Sequence, residues 1–147
     1  MLFRHARLCY KNGSLSRERV RDEHFGGSWE SFNASFDTSS APAAGIQGQV
    51  TVFSFDKPEI LPSGVSGVHV FRDGAYLAGG EADLTAEERA SLARRVVESQ
   101  FMSFRKRVTG ILKDGGQLRR IFVAGGGSVK YGLDACIMLR GGLVLIS

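Results

Sequence analysis

The sequence predicts an α/β fold, and three observations carry that expectation. An amphipathic helix spans about Ala86 to Val108, an apolar strand follows from Leu118 to Ala124, and that strand runs directly into Gly125-Gly126-Gly127-Ser128. Helix, strand and glycine turn in that order direct the search for chemistry to the turn, where exposed backbone amides can face an anionic ligand. The 147 residues amount to one domain. A hydrophobic share of 43% and a charged share of 23% are ordinary for a globular chain. The 19 glycines cluster instead of recurring at a fixed period, which excludes a collagen-like chain.

Taken in order, Leu8-Cys9-Tyr10 reads as a short strand closed by the turn Lys11-Asn12-Gly13-Ser14, since Asn and Gly both tolerate positive φ. Ser16 to Glu23 is charged and opens a helix, with Ser14 or Ser16 as its N-cap. Trp29 to Phe36 is a second short helix, and Thr38 to Gly48, rich in Ser, Ala and Gly, is a surface loop. Val50 to Phe55 alternates Val50, Val52 and Ser54 against Thr51, Phe53 and Phe55, the period of a strand. Pro58 and Pro62 interrupt the chain before a strand at Val68 to Phe71, and Asp73-Gly74 turns it into a hairpin partner at Ala75 to Leu77. Thr85 with Glu88 three residues on is a capping box that starts the long helix. Ala93, Val97, Phe101, Phe104 and Val108 form its apolar stripe.

The glycine turn Gly125-Gly126-Gly127 is the leading candidate for a nucleotide site, because a ligand can lie against backbone that carries no Cβ; the plain alternative is a tight turn between strands. A dinucleotide fingerprint requires glycine at position 130, where Lys130 stands, and no Gly-Lys-Ser/Thr makes a Walker loop. Trp29, the single tryptophan, is either a platform for a purine ring or a core anchor. The basic runs Arg94-Arg95, Arg105-Lys106-Arg107 and Arg119-Arg120 are interleaved with Glu87, Glu88 and Glu98, which favours a solvated helix face over a nucleic-acid patch. His5, His24 and His69 lie in separate segments without metal-ligand spacing, and no Ser-His-Asp or Cys-His signature is present.

A net charge of +4 is a mild excess that assists a phosphate-bearing ligand without demanding one. Cys9 and Cys136 form no metal spacing and no disulfide framework, as expected of thiols in a reducing compartment. No apolar run approaches the roughly 20 residues of a membrane span, and the first residues lack the long apolar core of a signal peptide. A cytoplasmic protein without membrane or nucleic-acid partners is the expectation.

Several stretches together resemble one family. Leu8-Cys-Tyr-Lys-Asn-Gly-Ser-Leu-Ser-Arg-Glu-Arg-Val-Arg-Asp-Glu23 is similar to a stretch of eukaryotic xylulose kinases, which belong to the FGGY sugar kinases, and Ser28-Trp29-Glu30-Ser31-Phe32 follows at the family's interval. Glu98-Ser-Gln-Phe-Met-Ser-Phe-Arg105 resembles the family's E-x-Q-F-M helix, and Arg120-Ile-Phe-Val-Ala-Gly-Gly-Gly-Ser128 its strand and Gly-Gly adenosine motif. The likeness covers residues 8 to 128 and corresponds to the C-terminal, nucleotide-binding part of such an enzyme.

The resemblance implies a partial lobe of an actin-like, ribonuclease-H-like ATPase fold (the FGGY C-terminal domain) over residues 1–128. It implies ATP with Mg2+ as the phosphoryl donor and D-xylulose as the acceptor in the intact enzyme. The reaction is transfer of the γ-phosphoryl to the 5-hydroxyl, driven by positioning, charge neutralisation and an aspartate base. Gly125 and Gly126 match the glycines that contact the adenosine of ATP, with Gly127 beside them, and Trp29 matches a tryptophan of the same site. Lys130 departs from the family's asparagine at that place, and residues 129–147 do not align. The family's phosphate loop, sugar contacts and catalytic aspartate lie in segments that residues 1–147 do not contain. The expectation is therefore a fragment inactive by itself, with a non-catalytic nucleotide-binding or interaction module as the alternative.

Overall fold

The computed structural model describes residues 10–38 and 49–111. Their elements run α1 (Leu15–His24), α2 (Trp29–Thr38), β1 (Val50–Phe55), β2 (Gly67–Arg72), β3 (Ala75–Tyr76), a 3₁₀ turn at Gly80–Asp83, α3 (Ala86–Ala90) and α4 (Leu92–Ile111). The predicted strands at Leu8 and at Leu118 to Ala124, the loop over 39–48, the glycine turn and residues 129–147 lie outside the described residues.

The sheet is a three-stranded antiparallel meander in the order β1-β2-β3, so helix and strand are both present as expected. Val52 pairs with Val70 and Phe53 with His69 across β1 and β2. The alternation read from the sequence is what the sheet uses: Val50, Val52 and Ser54 are buried, while Thr51, Phe53 and Phe55 are only half-buried. Asp73-Gly74 makes the predicted hairpin, with Arg72 paired to Ala75 across a two-residue loop. Asp73 at φ 52° and Gly74 at φ 82° both hold the left-handed conformation that a type I′ turn requires.

The core lies between the sheet and the helices. Val20 of α1, Phe32 of α2, Val50, Val52 and Val70 of the sheet, Leu84, and Leu92, Ala93, Val96 and Val97 of α4 form one buried cluster. Burying a side chain of this size contributes about 1.5–3 kcal/mol. The predicted stripe of α4 is thus confirmed at Ala93 and Val97, and the structure widens it to Leu92 and Val96.

The helices also close the free edge of β1. Arg95 donates to the Val50 carbonyl at 3.0 Å, the Val52 amide donates to Ser99 Oγ at 3.2 Å, and Ser16 Oγ donates to the Ser54 carbonyl. Side chains of α4 and α1 thereby satisfy successive outward-facing backbone groups that would otherwise invite another strand.

The single helix expected over Ala86 to Val108 is two helices. Thr85 caps α3 with the predicted box: Thr85 Oγ1 accepts from the Glu88 amide at 3.1 Å, and Glu88 Oε2 accepts from the Thr85 amide at 2.7 Å. The helix then breaks at Ser91, whose hydroxyl donates to the Glu88 carbonyl at 2.9 Å. Arg95 Nε approaches the same carbonyl at 3.3 Å. A serine hydroxyl that competes for a backbone carbonyl favours such an interruption, and the break leaves α4 free to turn Leu92 into the core.

Candidate nucleotide site

Of the four residues expected to hold a nucleotide, the described structure places Trp29; Gly125, Gly126 and Gly127 lie outside it. Trp29 opens α2 immediately after a double-glycine link from α1. Gly26 at φ 59° and Gly27 at φ 76° adopt a conformation that side chains resist. The amides of Phe25 and Gly27 both donate to the Arg21 carbonyl, at 3.0 and 3.1 Å, which ends α1. Ser28 Oγ then accepts from the Ser31 amide at 3.2 Å, capping α2. Trp29 is half-buried at this corner, its ring edge-on to Phe32 at 5.4 Å. The Arg21 guanidinium lies over the Trp29 ring at 4.5 Å from the centroid. Trp29 thus packs against the core through Phe32, as the anchor reading expects, with Arg21 lying over its ring.

Two motifs that carry the resemblance meet in space. The Asn12-Gly13 turn before α1 is gripped from two sides. Gln100 Nε2 on α4 donates to the Gly13 carbonyl at 2.9 Å and to the Asn12 carbonyl at 3.4 Å. From the loop after β1, the Glu59 carboxylate accepts from the amides of Lys11 at 3.1 Å, Asn12 at 3.3 Å and Ile60 at 2.7 Å, and from Asn12 Nδ2 at 3.0 Å. The Asn12 side chain also donates to the Lys57 carbonyl at 2.7 Å and accepts from the Lys57 amide at 2.8 Å. Glu59 is 3% exposed. Burial works to raise its pKa, but the amides of Ile60 and Lys11 and the contacts from Asn12 outweigh burial and hold the carboxyl below the usual range.

Beside this junction is a cleft of about 30 Å³ lined in part by Tyr10, Asn12, Ser54, Glu59, Gln100 and Phe104. That volume admits a water or two and no nucleotide. Trp29 does not line it.

The structure assembles a second polar group that sequence reasoning missed. Glu23, His24 and Glu81 bring ligand-type atoms within 4.8 Å of one another. In sequence His24 follows Asp22 and Glu23; Glu81 arrives from the 3₁₀ turn, with Nε2 to Oε2 at 3.2 Å. Arg19 occupies the centre, paired to Glu81 at 2.6 Å and also to Glu23. Burial tends to raise the Glu81 pKa, and the Arg19 hydrogen bonds and charge reverse this and lower it. A magnesium ion asks for free carboxylate oxygens and retained waters. Here a guanidinium already holds both carboxylates, so this group does not fit that metal.

Three arginines of the basic runs of α4 have partners within the fold, while Arg105 and Lys106 are exposed. Arg94 pairs with Glu98 at 2.9 Å, Arg95 closes the β1 edge, and Arg107 lies over the Tyr10 ring at 3.9 Å. Arg119 and Arg120 lie outside the described residues. Among the described residues no helix is long and apolar enough to cross a membrane.

Comparison with known proteins points one way. No family model matches the chain. It is 38% identical over 136 residues to a probable D-xylulose kinase A of Aspergillus fumigatus, covering 82% of this chain and 24% of that protein. It is 36% identical over 140 residues to D-xylulose kinase A of Aspergillus niger, again 82% of this chain and 24% of the relative. The xylulose kinase of Schizosaccharomyces pombe is 36% identical over 133 residues, 82% of this chain and 23% of its own length. The chain thus spans about a quarter of the length of the curated relatives it matches. On these likenesses the chain belongs to the xylulose kinase family, of which it carries that quarter.

Proposed function

We propose that this chain supplies part of the nucleotide-binding lobe of an ATP-dependent xylulose kinase and performs no phosphoryl transfer by itself. The observation that carries the reading is the 38% identity over 136 residues that make up 82% of this chain but only 24% of the relative. In the intact enzyme ATP would donate its γ-phosphoryl to D-xylulose. Residues 1–128 would form part of an actin-like C-terminal lobe of the FGGY type, working in the cytoplasm without nucleic-acid or membrane partners.

Within that reading the roles divide by chemistry. Trp29 offers a π-face to the adenine, while its ring orientation is set by Phe32 and Arg21. Gly125, Gly126 and Gly127 would let the adenosine approach backbone amides without a Cβ in the way. Mg2+ would neutralise phosphate charge in the intact enzyme; among the described residues, the Arg19-locked carboxylates do not hold it.

A coupled assay of D-xylulose phosphorylation, with an intact family enzyme as control, tests the absence of transfer. The chain is expected to give no turnover above background, and clear turnover would show that it contains its own base. Titration with ATP, followed through Trp29, tests the nucleotide site separately.

A further inference from the structure

The two faces of the sheet are finished differently. Helices α1 and α4 pack on the face that carries Val50, Val52 and Val70. The opposite face carries Thr51, Phe53 and Phe55 of β1, His69 and Phe71 of β2, and Tyr76 of β3, as the strand register dictates. Its rings form a continuous chain of contacts: Phe55 to Phe53 at 6.3 Å, Phe53 to Phe71 at 6.2 Å, Phe71 to Tyr76 at 5.5 Å, Tyr76 to His69 at 6.3 Å and His69 to Phe55 at 6.2 Å. Tyr76 is 56% exposed and the other rings are half-buried. Aromatic surface of this kind is costly to leave against water.

From these observations we infer that residues 129–147 of the same chain dock over this aromatic face. Composition, reach and area select that occupant. The segment is apolar where a cover must be: Ala135-Cys-Ile-Met-Leu139 and Leu143-Val-Leu-Ile146 hold no charge, and Arg140-Gly141-Gly142 separates them. It also lies within reach. The Arg107 guanidinium near the end of α4 donates to the Leu61 carbonyl in the loop that follows β1, so the chain leaves α4 at the Phe55 end of the sheet. The path from Ile111 to Ala135 spans up to roughly 80 Å when extended, against about 20 Å for a six-residue strand. Area decides against a second copy: a face about 20 Å by 10–15 Å buries a few hundred Å² per molecule. Two such faces fall short of the roughly 1,000 Å² in total that a stable interface clears. A segment of the same chain is not held to that threshold, because it loses no translational freedom on docking.

The test places the photo-crosslinking residue p-benzoylphenylalanine at position 76 of the full chain, mixed with isotopically heavy chain before irradiation. Trypsin cuts after Lys130 and Arg140, so the segment yields peptides 131–140 and 141–147. The expected result is a cross-link from position 76 to one of these two peptides, light to light or heavy to heavy. Cross-links to any other peptide, mixed heavy–light pairs that report a second copy, or no peptide adduct each overturn the docking. The same substitution at position 51, on the same face, gives an independent reading should position 76 disturb the hairpin. The two positions must agree for the proposal to stand.

Discussion

The Asn12 junction and the Trp29 corner both carry family-like sequence, yet they are built to opposite ends. At the junction, backbone amides, the Asn12 amide and Gln100 answer the Glu59 carboxylate and the turn carbonyls inside the chain. Little is left over for a ligand, and the neighbouring cleft holds about 30 Å³. At the corner, Trp29 is half-buried, anchored by Phe32 and carrying Arg21. The comparison separates a motif whose polar groups are mutually satisfied from one whose aromatic ring packs partly on the core and partly under a guanidinium. Sequence likeness alone does not say which is which.

The largest effect that would break this division is at Glu59. Replacing Glu59 with Ala strips a common acceptor from several donors, and the expected loss is about 3 kcal/mol of stability. Urea unfolding should show it as a lower midpoint at unchanged slope. A loss under about 0.5 kcal/mol would mean that the junction is not a structural anchor.

The same group sets a pH dependence. Its folded pKa is depressed, so its contribution is fully present above the unfolded value of about 4.3 and disappears as pH falls through the lower folded value. Acid unfolding of Glu59→Gln should therefore be flatter below pH of about 4 than that of the parent chain.

Gln100→Ala comes next. It removes neutral, part-buried hydrogen bonds to Gly13 and Asn12, and the expected cost is about 1–1.5 kcal/mol. Combined with Glu59→Ala it should cost less than the sum, since both grip one turn. Thr85→Ala, remote from both regions, should cost about 1 kcal/mol through the lost cap and serves as the additive control. Glu81→Gln keeps the side chain's shape and a hydrogen-bond acceptor for Arg19 and is expected to cost about 1 kcal/mol, little changed as salt is raised because the two side chains are only 16% and 18% exposed.

Much of the scaffold was legible in the sequence. The β1 alternation, the Asp73-Gly74 hairpin and the Thr85–Glu88 capping box depend on neighbours a few residues apart, and local chemistry decides them. The break at Ser91 was not legible, because a serine inside a helical pattern does not by itself announce that its hydroxyl and Arg95 will both take the Glu88 carbonyl. The Glu59 anchor and the Arg19–Glu81 pair were equally hidden, since each joins segments dozens of residues apart and neither has a spacing signature. Gln100 stood inside a recognised motif, but only the fold shows that it holds the turn of another motif. Trp29, named as a site residue, packs on Phe32 with Arg21 over its ring, and the glycines that would complete the site lie outside the described residues.

We propose that the chain has a nucleotide site at the Trp29 corner. Trp29 is the only tryptophan, so its emission reports that corner without interference. Titrating the full chain with ATP should give a saturable change in Trp29 fluorescence by millimolar nucleotide, diminished when Gly125→Val crowds the glycine turn. Emission that stays constant at millimolar ATP would contradict the claim.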